Sequence, residues 1–74
     1  MTEAKLVKEY NELRDKALAA PNTNGREYLQ SFSDHDLKVF IAGKTMQHGR
    51  DFKGSWENAT IHMKNRDRAI KSFS

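Results

Sequence analysis

One segment in the middle of this chain carries apolar side chains on two opposite sides of a predicted helix. On each side they recur at the three- and four-residue intervals of an α-helix, with Leu37, Phe40 and Ile41 on one face and Val39, Ala42 and Met46 on the other. A helix that is apolar on two sides is normally buried between neighbours. We therefore expect a helix from about Asp34 that lies centrally, between the first and last helices. If those helices cannot cover both faces, the uncovered face becomes a dimer interface.

The N-terminal segment predicts a first helix from Glu3 to Ala19. Thr2 is placed to cap this helix, and Pro21 disfavours helical geometry in the residue before it. The apolar face at helical spacing consists of Leu6, Val7, Tyr10, Leu13, Ala17 and Leu18. On the outer face, opposite charges four residues apart neutralise one another. This helix is therefore expected to have a structural role.

A turn and a short helix are expected between the first helix and the central one. Residues 21–25 have the composition of a turn. Asn24 stands three residues before Glu27, which is the spacing of a capping box and predicts a short helix that ends near Phe32. Ser33 then ends the short helix and begins the central one.

The C-terminal residues 55–74 predict one long amphipathic helix. Its apolar face consists of Trp56, Ala59, Met63, Ile70 and Phe73, which recur at intervals of three, four and seven. Lys64, Arg68 and Lys71 recur at intervals of four and three, so they form a second, cationic stripe. We expect this helix to pack on its own domain through the first face and to present positive charge with the second.

Gly43 begins the segment that is hardest to assign. It either caps the C-terminus of the central helix or is a point of close packing inside a longer helix. The sequence Gly43-Lys44-Thr45 superficially matches the end of a phosphate-binding P-loop. That motif also needs a glycine five residues earlier, where this chain has Lys38, and a strand upstream, where it has a predicted helix. A P-loop is therefore rejected.

Composition limits the class of fold. The chain has 74 residues and no cysteine, which excludes disulfides, thiolate nucleophiles and cysteine-based zinc sites. Hydrophobic residues make up 36% and charged residues 31%, as in a small helical domain. No apolar run approaches the ~18 residues of a membrane span, and the N-terminus lacks the apolar core of a signal peptide. We predict one all-α domain over 1–74, with three main helices and a short one, in the cytoplasm and away from membranes.

The net charge of +3 is unevenly distributed. Residues 1–42 hold six basic and seven acidic side chains, whereas residues 43–74 hold seven basic and three acidic ones. This asymmetry favours an anionic partner for the C-terminal half, unless the basic side chains are only a solvated face. We predict a small regulatory protein that binds nucleic acid, because neutralised phosphates release counterions. The residues expected to contact phosphates are Arg50, Lys53, Lys64, Arg68 and Lys71, and Asn65 and Arg66 are expected to add hydrogen bonds.

A partner protein is the alternative ligand. Tryptophan and arginine are enriched in binding hot spots, and Trp56 stands in the first turn of the last predicted helix, close in sequence to Arg50. The second apolar face of the central helix, with Val39 and Met46, would extend that surface. This reading predicts an adaptor or inhibitor, and a homodimer is a further possibility.

Catalytic and metal-binding patterns are weak. Asp34, His35 and Asp36 are neighbours on a helix and point about 100° apart, so they are not expected to converge on one ion unless an irregular turn brings Asp34 and Asp36 together. His48 and His62 could perform acid–base chemistry, but no nucleophile stands in a recognisable context. His48 is expected at the edge of the core. We therefore predict no enzymatic activity, no cofactor and no metal.

Overall fold

A computed structural model of the protein describes residues 1–19 and 25–74. The predicted cap at Asn24 lies outside the described residues. So do residues 21–24 of the predicted turn at 21–25. Five helices occupy the described ranges, and no strand is found there: α1 Glu3–Leu18, α2 Gly25–Gln30, α3 Asp34–Gln47, α4 Phe52–His62 and α5 Arg66–Phe73. The predicted all-α class and the short helix before the central one are confirmed. None of these helices has the length and apolar character that crossing a bilayer requires.

Four of the helices begin at a side-chain cap. Thr2, Ser33, Asp51 and Asn65 each accept a hydrogen bond from the backbone amide three residues later. Such a cap satisfies an amide that would otherwise lack a partner, and it stabilises a helix by about 1 kcal/mol. Of the caps predicted from sequence, Thr2 and Ser33 are confirmed. α1 ends at Leu18, one residue before the predicted end, and Ala19 is its C-cap.

The prediction of one continuous helix over residues 55–74 is wrong. α4 already begins at Phe52 and ends at His62, and α5 starts again at Arg66. Asn65 explains the break, because its backbone is extended (φ −137°, ψ 92°) and its side chain caps α5. Asparagine side chains compete for backbone hydrogen bonds and are therefore favoured at caps rather than inside helices.

α3 is the central helix, as predicted. It packs against α1 on one side and against α4 on the other. Leu37 and Ile41 on its first face and Val39 on its second are fully buried. The chain itself therefore covers most of both faces of α3, and Met46 at the end of the second face stays half-buried.

Gly43 is a point of close packing inside α3, which is the second of the two predicted alternatives. The helix continues past it to Gln47, and its C-cap is His48. A Cβ atom at position 43 would lie 2.2 Å from Cδ1 of Tyr10, so the tyrosine ring rests directly on the backbone of α3. The Tyr10 hydroxyl donates a hydrogen bond of 2.9 Å to Oε1 of Gln47. Glycine is required at this position to bring α1 close to α3.

All five helices contribute to one hydrophobic core. Its buried members are Leu6, Tyr10, Leu13, Leu29, Phe32, Leu37, Val39, Phe40, Ile41, Ala42, Ala59, Ala69 and Ile70. Phe32 lies between two aromatic neighbours, with its ring edge-on to Tyr28 at 4.7 Å and to Phe40 at 5.7 Å between centroids. Edge-to-face pairs of this kind add to the stabilisation that burial alone provides. The core thereby joins the α2–α3 connection to the central helix.

Candidate nucleic-acid interface

The break after α4 divides the five cations that were predicted to contact phosphates. All five are exposed, but Arg50 and Lys53 lie at the start of α4, whereas Lys64 and Arg68 lie beyond its end. α4 has 11 residues, and at a rise of 1.5 Å per residue it separates the two groups by roughly 16 Å. The predicted single surface is therefore two groups of positive charge.

Lys64 and Arg68 line the same cleft, which we call the α4–α5 cleft. It has a volume of about 420 Å³, and the polar side chains that line it are His62, Lys64, Asn65, Arg68 and Ser72. Ile61 and Ala69 complete the lining, so it contains no aspartate or glutamate. In the described parts of the chain, no ion pair involves Lys64 or Arg68. Both cations are therefore available to an external anion.

Lys71 follows Arg68 by three residues on α5, so the two side chains are neighbours on the surface of that helix. Lys71 lines a separate recess with Asp67 and Ile70 of the same helix and with Arg26 and Gln30 of α2. The carboxylate of Asp67 stands four residues before Lys71, the spacing at which opposite charges on a helix attract. Lys71 is therefore next to Arg68 along α5 but lines a different recess, which contains the carboxylate of Asp67.

Arg66 and Asn65 have structural roles rather than the predicted contacts with a ligand. The Arg66 guanidinium donates hydrogen bonds to Oδ1 of Asp34 at 2.6 Å, to the carbonyl of Gln30 at 3.3 Å and to the carbonyl of Phe32. The two carbonyls lie at and just beyond the end of α2, where helical hydrogen bonding stops. Arg66 thus fixes the start of α5 against the α2–α3 connection and positions one wall of the α4–α5 cleft.

A second cleft, which sequence reasoning missed, lies between the C-terminal half of α3 and the end of α5. This α3–α5 cleft has a volume of about 340 Å³ and is lined by Lys44, Thr45, His48, Ser72, Phe73 and Ser74. His48 is exposed, so its predicted place at the edge of the core is wrong. The sequence signal for this cleft was the four-residue spacing of Lys44 and His48, which places them on one helical face. That signal is readable only if α3 is known to extend to Gln47.

The surface predicted for a partner protein is not assembled. Val39 of α3 is fully buried in the core, so it cannot touch a partner while the fold is intact. Trp56 is half-buried, and the Nζ atom of Lys38 lies 4.1 Å from its ring centroid in a cation–π contact. Met46 is half-buried against the core. These three residues therefore do not form one exposed apolar patch.

A small cluster of metal-ligating side chains joins α1 to the start of α3. Donor atoms of Glu9, His35 and Asp36 all lie within 4.8 Å of one another. The sequence neighbours His35 and Asp36 therefore do come together, and the third group is the Glu9 carboxylate, which the sequence did not indicate. Nε2 of His35 already lies 3.0 Å from Oε1 of Glu9, a hydrogen bond that a metal would have to replace. The other oxygen of Glu9 is buried and has no partner among the residues described.

Two tyrosine hydroxyls stay protonated to higher pH than usual. Burial raises the pKa of Tyr10 above its ordinary value, and the positive charge of Arg14 opposes this shift. Burial also raises the pKa of Tyr28, with a further contribution from the negative charge of Asp36. As neutral groups both hydroxyls donate hydrogen bonds, that of Tyr28 to the carbonyl of Leu13 in α1. They join helices and do not belong to the basic clefts.

Comparison with protein-family models, with curated proteins and with solved structures finds no match for this chain.

Proposed function

We propose that this protein binds nucleic acid, without enzymatic activity, through the α4–α5 cleft. The observation that carries the proposal is that Lys64 and Arg68 line one cleft that lacks carboxylates and are held in no ion pair within the described ranges. Lysine and arginine supply the main share of affinity for a phosphate backbone, because each neutralised phosphate releases condensed counterions. A small regulatory protein in the cytoplasm is the corresponding biological role.

The polar side chains of the cleft complement the two cations. Oδ1 of Asn65 accepts the capping hydrogen bond from the Arg68 amide, which leaves its NH₂ group as a donor. The Ser72 hydroxyl lines the same cleft and is a second neutral donor. Phosphate oxygens accept hydrogen bonds from serine and asparagine as well as from arginine and lysine. The cleft therefore offers charge and directed donors to the same group.

Arg50 and Lys53 extend the interface for a longer ligand. They lie roughly 16 Å from the α4–α5 cleft along α4, which corresponds to about five nucleotides at 3.4 Å each. Glu57 stands one helical turn after Lys53, between the two cationic groups, and it weakens the attraction of a phosphate there. These two cations are accordingly expected to contribute less than Lys64 and Arg68.

Fluorescence anisotropy with labelled oligonucleotides at low and moderate salt tests the proposal. The variant Lys64→Ala/Arg68→Ala is expected to bind at least roughly tenfold more weakly, because it loses two charge-assisted contacts of about 1 kcal/mol or more each. The slope of its log affinity against log salt concentration should also become shallower by the contribution of about two phosphates. The matched control is Lys5→Ala/Lys8→Ala, which removes the same charge from the exposed face of α1. Equal binding by the two double variants, or no binding by the wild type at low salt, would contradict the proposal.

A second candidate function is self-association or capture of a partner protein, and Met46 is the member of the predicted set that favours it. Met46 lines an apolar recess of about 200 Å³ between α1 and α3, next to Val7, which is 43% exposed. A homodimer that uses this recess would show a melting temperature that rises with protein concentration. Val7→Glu should remove that dependence. A melting temperature that is independent of concentration would rule out the dimer.

A further inference from the structure

The two basic clefts are parts of one continuous surface. Ser72 of α5 lines both the α4–α5 cleft and the α3–α5 cleft, so they meet at this residue. Arg68 stands four residues before Ser72 on α5, a rise of about 6 Å, which is within the span of one or two nucleotides. A strand bound at Arg68 therefore reaches the second cleft without a gap.

The second cleft contains one lysine and, like the first, no acidic side chain among its lining residues. Lys44 and His48 line it one helical turn apart. The ammonium of Lys44 is positioned 5.2 Å from the ring centroid of Phe40 and is held in no ion pair within the described residues. Thr45 is occupied internally, because its hydroxyl donates to the carbonyl of Ile41. Lys44 is thus the side chain that supplies charge to a ligand in this cleft.

An aromatic pair lies at the junction of the two clefts. His62 lines the first cleft and Phe73 the second, and their rings stack edge-on with centroids 5.0 Å apart. Both rings are half-buried, so part of each remains accessible. Proteins that bind single strands combine cations along the backbone with aromatic side chains that contact unpaired bases. In a duplex the bases are paired and stacked on one another, so their faces are not accessible to the His62 and Phe73 rings.

From this arrangement we infer that the ligand is a single strand of nucleic acid, whose successive phosphates occupy the α4–α5 cleft and then the α3–α5 cleft, with a base against the His62–Phe73 pair. This inference rests on the proposed function and adds a second phosphate subsite at Lys44. It also identifies the strandedness of the ligand. A single free phosphate would use only one subsite.

Anisotropy with fluorescein-labelled oligothymidylates of increasing length, and with a duplex of matched length, tests the inference. The variant Lys44→Met keeps a long apolar stem against Phe40 but removes the charge, and Lys8→Met on α1 is the matched control. Lys44→Met is expected to weaken binding of the single strand about five- to tenfold and to lower the salt slope by about 0.7, the value for one phosphate of a single strand. Lys8→Met should change neither quantity.

The outcomes separate this inference from the proposed function. If Lys64→Ala/Arg68→Ala weakens binding and Lys44→Met leaves the salt slope unchanged, the second subsite is overturned while the proposed function stands. If the duplex binds as tightly as the single strand, the assignment of strandedness is overturned. Competition by inorganic phosphate as effective as that by an oligonucleotide would overturn both parts. The absence of all binding at low salt would instead refute the proposed function itself.

The aromatic contact needs a separate measurement, because Phe73 also packs against the core. Ultraviolet crosslinking of the wild-type protein to an oligothymidylate, followed by peptide mapping, is expected to label Phe73 or His62. The variant Phe73→Leu, if its thermal melting stays cooperative, should lose about tenfold in affinity for the single strand with an unchanged salt slope. Crosslinks confined to other residues would overturn the aromatic contact.

Discussion

Replacing Gly43 with alanine tests the contact that packs α3 against α1. The new Cβ atom would lie 2.2 Å from Cδ1 and 2.3 Å from Cγ of Tyr10, whereas carbon atoms in ordinary contact are about 3.5–4.0 Å apart. The ring must therefore retreat by more than about 1 Å. It has little room to do so, because it is 5% exposed and lies 5.8 Å from the Phe40 ring, and its hydroxyl is bonded to Gln47.

Two destabilising contributions and one stabilising contribution determine the expected change in the free energy of unfolding. Overpacking destabilises by about 1–3 kcal/mol, and loss of the tyrosine hydrogen bond removes about 1 kcal/mol more. Alanine returns about 1 kcal/mol through its higher helix propensity. We therefore expect Gly43→Ala to lower the free energy of unfolding by about 2 kcal/mol, which corresponds to a melting temperature lower by roughly 8–16 °C in a domain of this size.

Urea denaturation followed by circular dichroism gives this free energy, and a double-mutant cycle identifies its cause. In a Tyr10→Leu background the ring is absent, so Gly43→Ala should be at least about 1 kcal/mol less destabilising than in the wild type. A clash with the Tyr10 ring would be refuted as the cause if Gly43→Ala stabilised the wild type, as helix propensity alone predicts. It would also be refuted if the substitution had the same effect in both backgrounds.

Three further predictions concern other contacts. Arg66→Met removes the guanidinium that bonds two carbonyls of the α2–α3 connection and should lower stability to urea by about 1–2 kcal/mol; unchanged stability would contradict its structural role. Asp51→Ala removes the α4 cap and should lower the free energy of unfolding by about 1 kcal/mol in thermal denaturation, whereas the exposed control Asp15→Ala should have less effect. Because the pKa values of Tyr10 and Tyr28 are raised in the folded protein, the unfolded chain loses these tyrosine protons at a lower pH than the folded protein does. Their stabilising contribution is therefore complete below about pH 10 and declines as the pH rises through the folded-state pKa values. Urea denaturation across this range, with tyrosinate absorbance as the direct readout, checks this, and ionisation of both tyrosines at their ordinary pKa would contradict it.

Arg66 shows how a residue of the right type can be misassigned from its sequence context. It stands within the most basic part of the chain, between Lys64 and Arg68, and its charge alone suggests a phosphate contact. In the fold its guanidinium is directed at Asp34 and at backbone carbonyls of another element. Which of three neighbouring cations is free was therefore decided by the position of α2 relative to α5.

The sequence alone determined the features that depend on contacts between residues three or four positions apart. The caps at Thr2 and Ser33 and the two apolar faces of α3 all follow from the pitch of a single helix. A helix with two apolar faces has to be buried on both, so the central position of α3 also follows from the spacing of its apolar residues.

Only the tertiary structure decided where the last helix divides and which cations share a cleft. Asparagine favours caps, but Asn58 lies inside α4 while Asn65 caps α5, so residue type alone does not locate the break. Lys44 and Arg68 belong to different helices, and no spacing along the chain reports that both border Ser72. The physical reason is that a cleft is formed by the relative placement of two helices, and long-range packing sets this placement, whereas periodicity records only the direction of side chains around one helix axis.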